Sequence, residues 1–277
     1  MRRPVLRVAN WLGYGIVPLE RYRIVPLDQP NPYPFTMKQF TVAAWLAGSP
    51  VLDLLTHSKA KDGQDLLAAA LNEFKPGFFV DIGAYDGRTK SNTHLLEMRL
   101  GWSGLLVEPN PECHATLLSE RSAPLETRAI DAVDGRKVTL DLKGELSHLR
   151  KESGGIARED FRSNRPHEAL VETATARSLF AENSVPEHIN YVSIDVEGHE
   201  LVVLNTLPFE RHTIDFISVE HNFNRGRQCE IRTILADHDY VVIGESLSRN
   251  EDWFVRQSLA EHRPDVLRWR DTATTKP

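Results

Sequence analysis

The chain has 277 residues, of which 41% are hydrophobic and 26% charged, and 39 acidic against 33 basic residues give a formal net charge of -6. This size and balance fit one catalytic domain with an added segment, exclude a wholly disordered chain, and leave no global basic field to draw in a nucleic-acid backbone. The two cysteines, Cys113 and Cys229, have neither CxxC nor zinc-ligand spacing, so structural thiols in a reducing, cytoplasmic setting are expected rather than a disulfide framework.

Residues 1–60 read as an accessory segment, a lid or an interface. The mildly apolar run at 5–19 is interrupted by Arg7 and Asn10 and is too short and polar to span a bilayer, although Trp11, Leu12 and Ile16 could lie on a membrane surface. No transmembrane segment is expected. Pro26, Pro30, Pro32 and Pro34 then break the chain into a meander before a short helix near 40–47. A main domain is expected over 61–260. It opens with KDGQD, a turn that feeds an apolar helix with Asp62 or Asp65 at its start.

Residues 78–87, FFVDIGAYDG, are the stretch around which the rest is organised: a short apolar strand ends in Asp81, a glycine-interrupted turn follows, and a helix begins near Ser91. Glycine serves where φ must be positive or where a ligand must reach the main chain, so Gly83 and Gly87 point to a loop shaped around a small molecule. A dinucleotide pyrophosphate would want bare N–H groups there, yet Asp81 and Asp86 bracket the turn and G-x-G-x-x-G is lacking. S-adenosylmethionine has no phosphate and carries a sulfonium and an ammonium, which an acidic loop complements. The next apolar run, 102–107, ends in Glu108, about 20 residues beyond the turn, where an acid accepts from ribose hydroxyls.

Asn110 and Pro111 open a helix over 111–121, and a third strand at 125–130 ends in Asp131, at the place of the adenine edge in a doubly wound sheet; a plain turn acid is the other reading. A strand at 137–142 precedes a polar insertion at 143–168, whose His148 and His167 read as solvated. A strand at 169–176 and a helix at 178–183 follow. The strand at 191–194 ends in Asp195, Gly198 breaks the chain, and a helix runs over 199–207 with Glu197 and Glu200 read as solvated acids. A strand at 214–219 ends in Glu220-His221-Asn222, and a helix at 227–237, strands at 240–244 and 252–255, and a tail at 261–277 close the chain. The alternation predicts an α/β protein with a mostly parallel, doubly wound sheet and one antiparallel strand near its edge.

VDIGAYDG followed by SNTHLLE, GWSGLLVEPNP, YVSIDVEGHELVVL and ISVEHNF resembles the FkbM family of class I methyltransferases, over about 63–255. The resemblance implies a Rossmann-like class I methyltransferase fold and S-adenosylmethionine-dependent O-methylation of a sugar, glycoside or other secondary-metabolite hydroxyl. It also makes Gln64 and Asp65 candidates to reach cofactor or acceptor. The expected cofactor set is Asp81, Gly83, Ala84, Tyr85, Asp86, Gly87, Asn92, Glu108, Asn110, Asp131 and Asp195. Asp195, Glu220 and His221 end neighbouring strands and could hold a divalent ion, Mg²⁺ by ligand hardness, that activates the acceptor. In a metal-free scheme Asp195 remains in place and His199 or His221 removes the proton. The partner is a small-molecule or glycan acceptor, not nucleic acid, and a homo-oligomer is left open. The competing readings are a nucleotide-cofactor oxidoreductase of similar fold and a non-catalytic ligand-binding member of the fold.

Overall fold

The computed structural model describes residues 14–17, 23–26, 54–150, 167–244 and 250–263. The helix expected at 40–47, most of the run at 5–19, the Gly154-Gly155 stretch and the tail from 264 onward lie outside them. Two compact units divide the chain, one made of Met1–Gly77 and Thr89–Trp102, the other of Phe78–Arg88 and Ser103–Pro277. Among the described residues no helix is long and apolar enough to cross a membrane.

In the first unit, strands β1 (Tyr14–Val17) and β2 (Arg23–Pro26) pair antiparallel, within the accessory segment, where no strand was expected. Helix α1 (Gln64–Leu71) follows Gly63, whose φ of 90° turns the chain into it. Ser58 Oγ and the Leu66 N–H both donate to Asp65 Oδ1 at 2.8 Å, which satisfies an otherwise orphaned first-turn amide. Burial pushes the Asp65 carboxyl up to about 6 in spite of these bonds. Every residue of α1 is buried, and it packs against α2 (His94–Leu100), which ends at Gly101 with φ 68°.

The second unit is built on β3 (Phe78–Ile82), β4 (Ser103–Val107), β5 (Leu125–Glu126), β10 (His188–Ile194), β11 (Thr213–Glu220), β12 (Tyr240–Ile243) and β13 (Glu251–Arg256), in the order β12-β13-β11-β10-β3-β4-β5. Five neighbours from β11 to β5 are parallel, and β13 enters antiparallel between β11 and β12. This is the mostly parallel sheet with one antiparallel strand near its edge that the alternation predicts. The central strands are nearly continuous apolar runs because a parallel sheet is covered on both faces. Their inner residues, from Phe79 and Val80 to Ile217 and Val219, are fully enclosed, and Tyr191 stacks on Phe216 with ring centroids 4.8 Å apart. Helices α3 (Pro111–Glu120), α4 (Ala176–Glu182), α5 (Glu200–Thr206) and α6 (Arg225–Asp237) belong to this unit. Asn110 caps α3, Thr175 caps α4 and Asn224 caps α6 by accepting backbone N–H groups. A last helix, α7 (Gln257–His262), occupies part of the expected tail.

The strand expected at 125–130 is two strands in two sheets. Arg128 folds back on Glu126 through both carboxylate oxygens, at 2.9 and 2.8 Å, and the chain leaves the main sheet there. β6 (Ala129–Ile130) then joins a second sheet, of order β6-β9-β7-β8, with β7 (Lys137–Leu142), β8 (His148–Leu149) and β9 (His167–Ala174). Ala129, Leu140, Leu142 and Val171 form its small core. Strand thus enters the expected polar insertion at His148–Leu149 and at its last residues, 167–168.

Candidate active site

Parallel strands deliver their carboxyl ends to one edge of the sheet, where Asp81 with the loop after β3, Glu108 after β4, Asp195 after β10 and Glu220 at the end of β11 lie. The β3 loop is pinned to its neighbour by the Gly83 and Ala84 N–H groups, which donate to Val107 O at 2.9 and 3.2 Å. Gly83 has φ 91°, and a Cβ on it would stand 1.8 Å from the Asp195 carbonyl oxygen. The missing side chain therefore admits the end of β10, a protein group, where sequence reasoning had a ligand in mind. Gly87 has φ 77°, and its Cβ would meet Arg121, whose guanidinium donates to Gly87 O at 3.0 Å and lies 5.4 Å over the Phe79 ring.

Glu108 is tied to the loop: Oε2 accepts from the Tyr85 N–H at 2.7 Å and Oε1 from the Asn110 N–H at 2.8 Å. Burial pushes its carboxyl up to about 7 against both bonds, with the Asp81 charge adding to the rise. Asp86 Oδ1 accepts from the Arg88 N–H, and Asn110 Oδ1 from Glu112 N. Asp81, Gly83, Ala84, Tyr85, Asp86, Gly87, Glu108 and Asn110 therefore share one strand-end neighbourhood. Asn92 belongs to the first unit.

Asp131 is buried. Its Oδ1 accepts from Ala132 N at 2.8 Å and faces His199 Nε2 at 3.2 Å, while Oδ2 lies 3.6 Å from Arg136. His199 lines two cavities, of about 340 and 330 Å³, which share Leu149 and Arg150 with it.

Asp195 donates its backbone N–H to Ile82 O at 2.9 Å and carries its carboxyl to Glu220. The side chain is exposed to solvent, although neighbouring protein atoms still desolvate its carboxyl. Burial first, and then the charge of Glu220 and a hydrogen bond with it, raise the Asp195 pKa well above the usual carboxylate range. Glu220 Oε1 accepts from Asn250 Nδ2, and its other oxygen is buried.

The third carboxyl here is Glu197: one oxygen from each of Asp195, Glu197 and Glu220 lies within 4.8 Å of the others. His221 does not take that place. It is buried with Nε2 3.3 Å from Gln228 Nε2 and 3.8 Å from Asp252, a carboxylate gripped by Arg232 at 2.6 and 3.0 Å, and burial lowers its pKa. Glu200, read as solvated, is fully buried, accepts from Gly198 N at 2.8 Å and pairs with Arg227 at 3.2 Å. Glu197 escaped sequence reasoning because the residue two beyond a strand end has no preset direction. The turn-forming glycine after it was the available signal. Tyr85, Glu197, Asn222 and Phe223 all have φ near 50–58°, a left-handed conformation that costs a non-glycine residue about 1–2 kcal/mol. Such strain gathers where side chains must be aimed, and Asn222 Nδ2 donates to Glu197 Oε2 at 3.1 Å.

A family model described as the methyltransferase FkbM domain matches residues 81–242. Among solved structures, an FkbM methyltransferase from Methylobacillus flagellatus is 13% identical, over 79% of this chain and 58% of that one, with a TM-score of 0.40. An O-methyltransferase from Bacillus cereus in complex with S-adenosylhomocysteine is 11% identical over 77% and 89%, TM-score 0.41. Magnesium protoporphyrin IX methyltransferase from Synechocystis PCC 6803 is 12% identical over 70% and 77%, TM-score 0.36. No curated protein matches. Family membership rests on the sequence match, which spans more than half of the residues: the chain belongs to the FkbM family of methyltransferases.

Proposed function

We propose that this protein is an S-adenosylmethionine-dependent O-methyltransferase acting, in the cytoplasm, on a hydroxyl of a sugar, glycoside or other secondary-metabolite alcohol. The observation that carries the reading is the gathering of carboxyls at one sheet edge: Asp81, Asp86 and Glu108 around the glycine loop, and Asp195, Glu197 and Glu220 beside it. The first group suits a ligand with a sulfonium and an ammonium, and Glu108 would accept from a ribose diol through the lone pairs its two backbone bonds leave. When bound, the cofactor supplies an electrophilic methyl group. The second group is assigned to the acceptor side, and His199, the imidazole that lines both cavities, would take up the acceptor proton, while His148 lines one of them. The protein's part is to position two reactants and to deprotonate one.

The donor set also fits a hard divalent ion. Mg²⁺ would be held by Asp195, Glu197 and Glu220, one oxygen of each lying within 4.8 Å of the others. The test is a titration of the full chain with S-adenosylmethionine and, separately, NAD, followed by mass-spectrometric screening of methylated products from a panel of glycosides. Saturable binding of the first alone, with products that survive as methyl ethers, is the expected result. Binding of NAD alone would refute it.

A further inference from the structure

The hydrogen bond between Asp131 and His199 joins residues 68 positions apart and has no place in the cofactor role that sequence position suggests for Asp131. A carboxylate can only accept, so the His199 nitrogen 3.2 Å from Asp131 Oδ1 must carry a hydrogen. That nitrogen is Nε2, and the ring's lone pair is then on Nδ1. Among the described residues Asp131 is the ring's hydrogen-bond partner, and His199 lines both cavities, so Nδ1 is the nitrogen left to meet a proton. Asp131 is itself fixed: it is buried, Oδ1 also accepts from Ala132 N at 2.8 Å, and Arg136 lies 3.6 Å from Oδ2. Its strand delivers it from the edge of the second sheet, whereas His199 precedes α5 of the main sheet. The pairing thus depends on how the two sheets are joined, not on local sequence.

We propose that Asp131 is a positioning residue that holds His199 in its Nε2–H tautomer, with Nδ1 as the base that receives the acceptor's proton. This rests on the reading of the chain as an O-methyltransferase. In the step itself the acceptor O–H bond breaks, its proton goes to Nδ1, its electron pair forms the new O–C bond to the methyl carbon, and the C–S pair leaves with the thioether. Oriented carboxylate–imidazole pairs work this way because the carboxylate fixes ring and tautomer without becoming protonated.

The experiment is nitrogen-detected NMR of the imidazoles in the ¹⁵N-labelled full chain at pH 8, with His199 assigned by the signal lost in His199→Gln. The wild type is expected to show a single Nε2–H tautomer at His199, and Asp131→Asn a mixture in which the Nδ1–H form appears. A bare Nε2 in the wild type, or the same tautomer ratio in both proteins, would overturn the proposal. If Asp131→Asn does not fold, the wild-type ratio against that of solvated histidines in the same spectrum decides. Calorimetry with S-adenosylhomocysteine is the second arm. Asp131→Asn should bind within about twofold of wild type, and a tenfold loss would assign Asp131 to the cofactor instead. A wild type that binds no S-adenosylhomocysteine, yet shows the fixed tautomer, would sink the methyltransferase reading and with it the role of Nδ1, while leaving the Asp131–His199 pairing in place.

Discussion

Replacing Gly83 by Ala should destabilise the fold strongly rather than merely empty its cofactor loop. The new Cβ would stand 1.8 Å from the Asp195 carbonyl oxygen, and moving it to an ordinary 3.4 Å contact requires a shift of roughly 1.6 Å. The shift must come from two neighbouring strands in register, Ile82 against Ile194, and it breaks the 2.9 Å bond from Asp195 N to Ile82 O. Overpacking of this kind costs about 1–3 kcal/mol, a left-handed alanine at φ 91° about 1–2, and the lost hydrogen bond about 1. The total, about 3–6 kcal/mol, is a large part of a typical stability of about 5–15. At about 2–4 °C per kcal/mol for a unit of this size, the melting temperature should fall by about 6–24 °C. Gly135→Ala is the control: φ is 73° with nothing within 4 Å, so it should cost only the backbone strain. Urea and thermal unfolding of the ligand-free proteins, read by circular dichroism, compare the two. A Gly83→Ala protein with a wild-type midpoint but no S-adenosylmethionine binding would refute this reasoning and return Gly83 to the role of making room for a ligand.

Glu108→Ala removes the acceptor proposed for the ribose hydroxyls and should weaken S-adenosylmethionine by about 1.5–3 kcal/mol, roughly 10- to 100-fold, in calorimetry; unchanged affinity would exclude that role. Since the folded Glu108 carboxyl is raised from 4.5 to about 7, the native state keeps its proton where the unfolded chain has released it, so stability should fall as pH rises from about 4.5 to 7 and level off above. Glu108→Gln should flatten that slope by about 3 kcal/mol in urea unfolding at pH 5 and pH 8. Asp195→Asn should abolish methyl transfer yet keep cofactor affinity and fold, because the amide has the same size and removes only the charge; near wild-type turnover would free the strand-end carboxyls from the chemistry. EDTA should stop turnover, and Mg²⁺ restore it, if Asp195, Glu197 and Glu220 act through a cation, whereas full activity in EDTA leaves proton removal to His199.

The sequence by itself determined the alternation of strands and helices in the main sheet, its doubly wound arrangement and the acids that end its strands. These follow from local chemistry: the apolar run of Phe78–Ile82 needs cover on both faces, Asn110 before Pro111 caps a helix, and Gly83 can take a φ of 91° at little cost. Only the tertiary structure decided which groups meet. It turned His221 toward Gln228 and Asp252 and brought Glu197 to Asp195, buried Glu200 against Arg227, split 125–130 between two sheets, and set Asp131 against His199. A side chain just past a strand end has no periodicity to fix its direction. Backbone strain at Glu197 and Asn222, and packing between elements far apart in the chain, supply that direction, and neither is written in any local pattern.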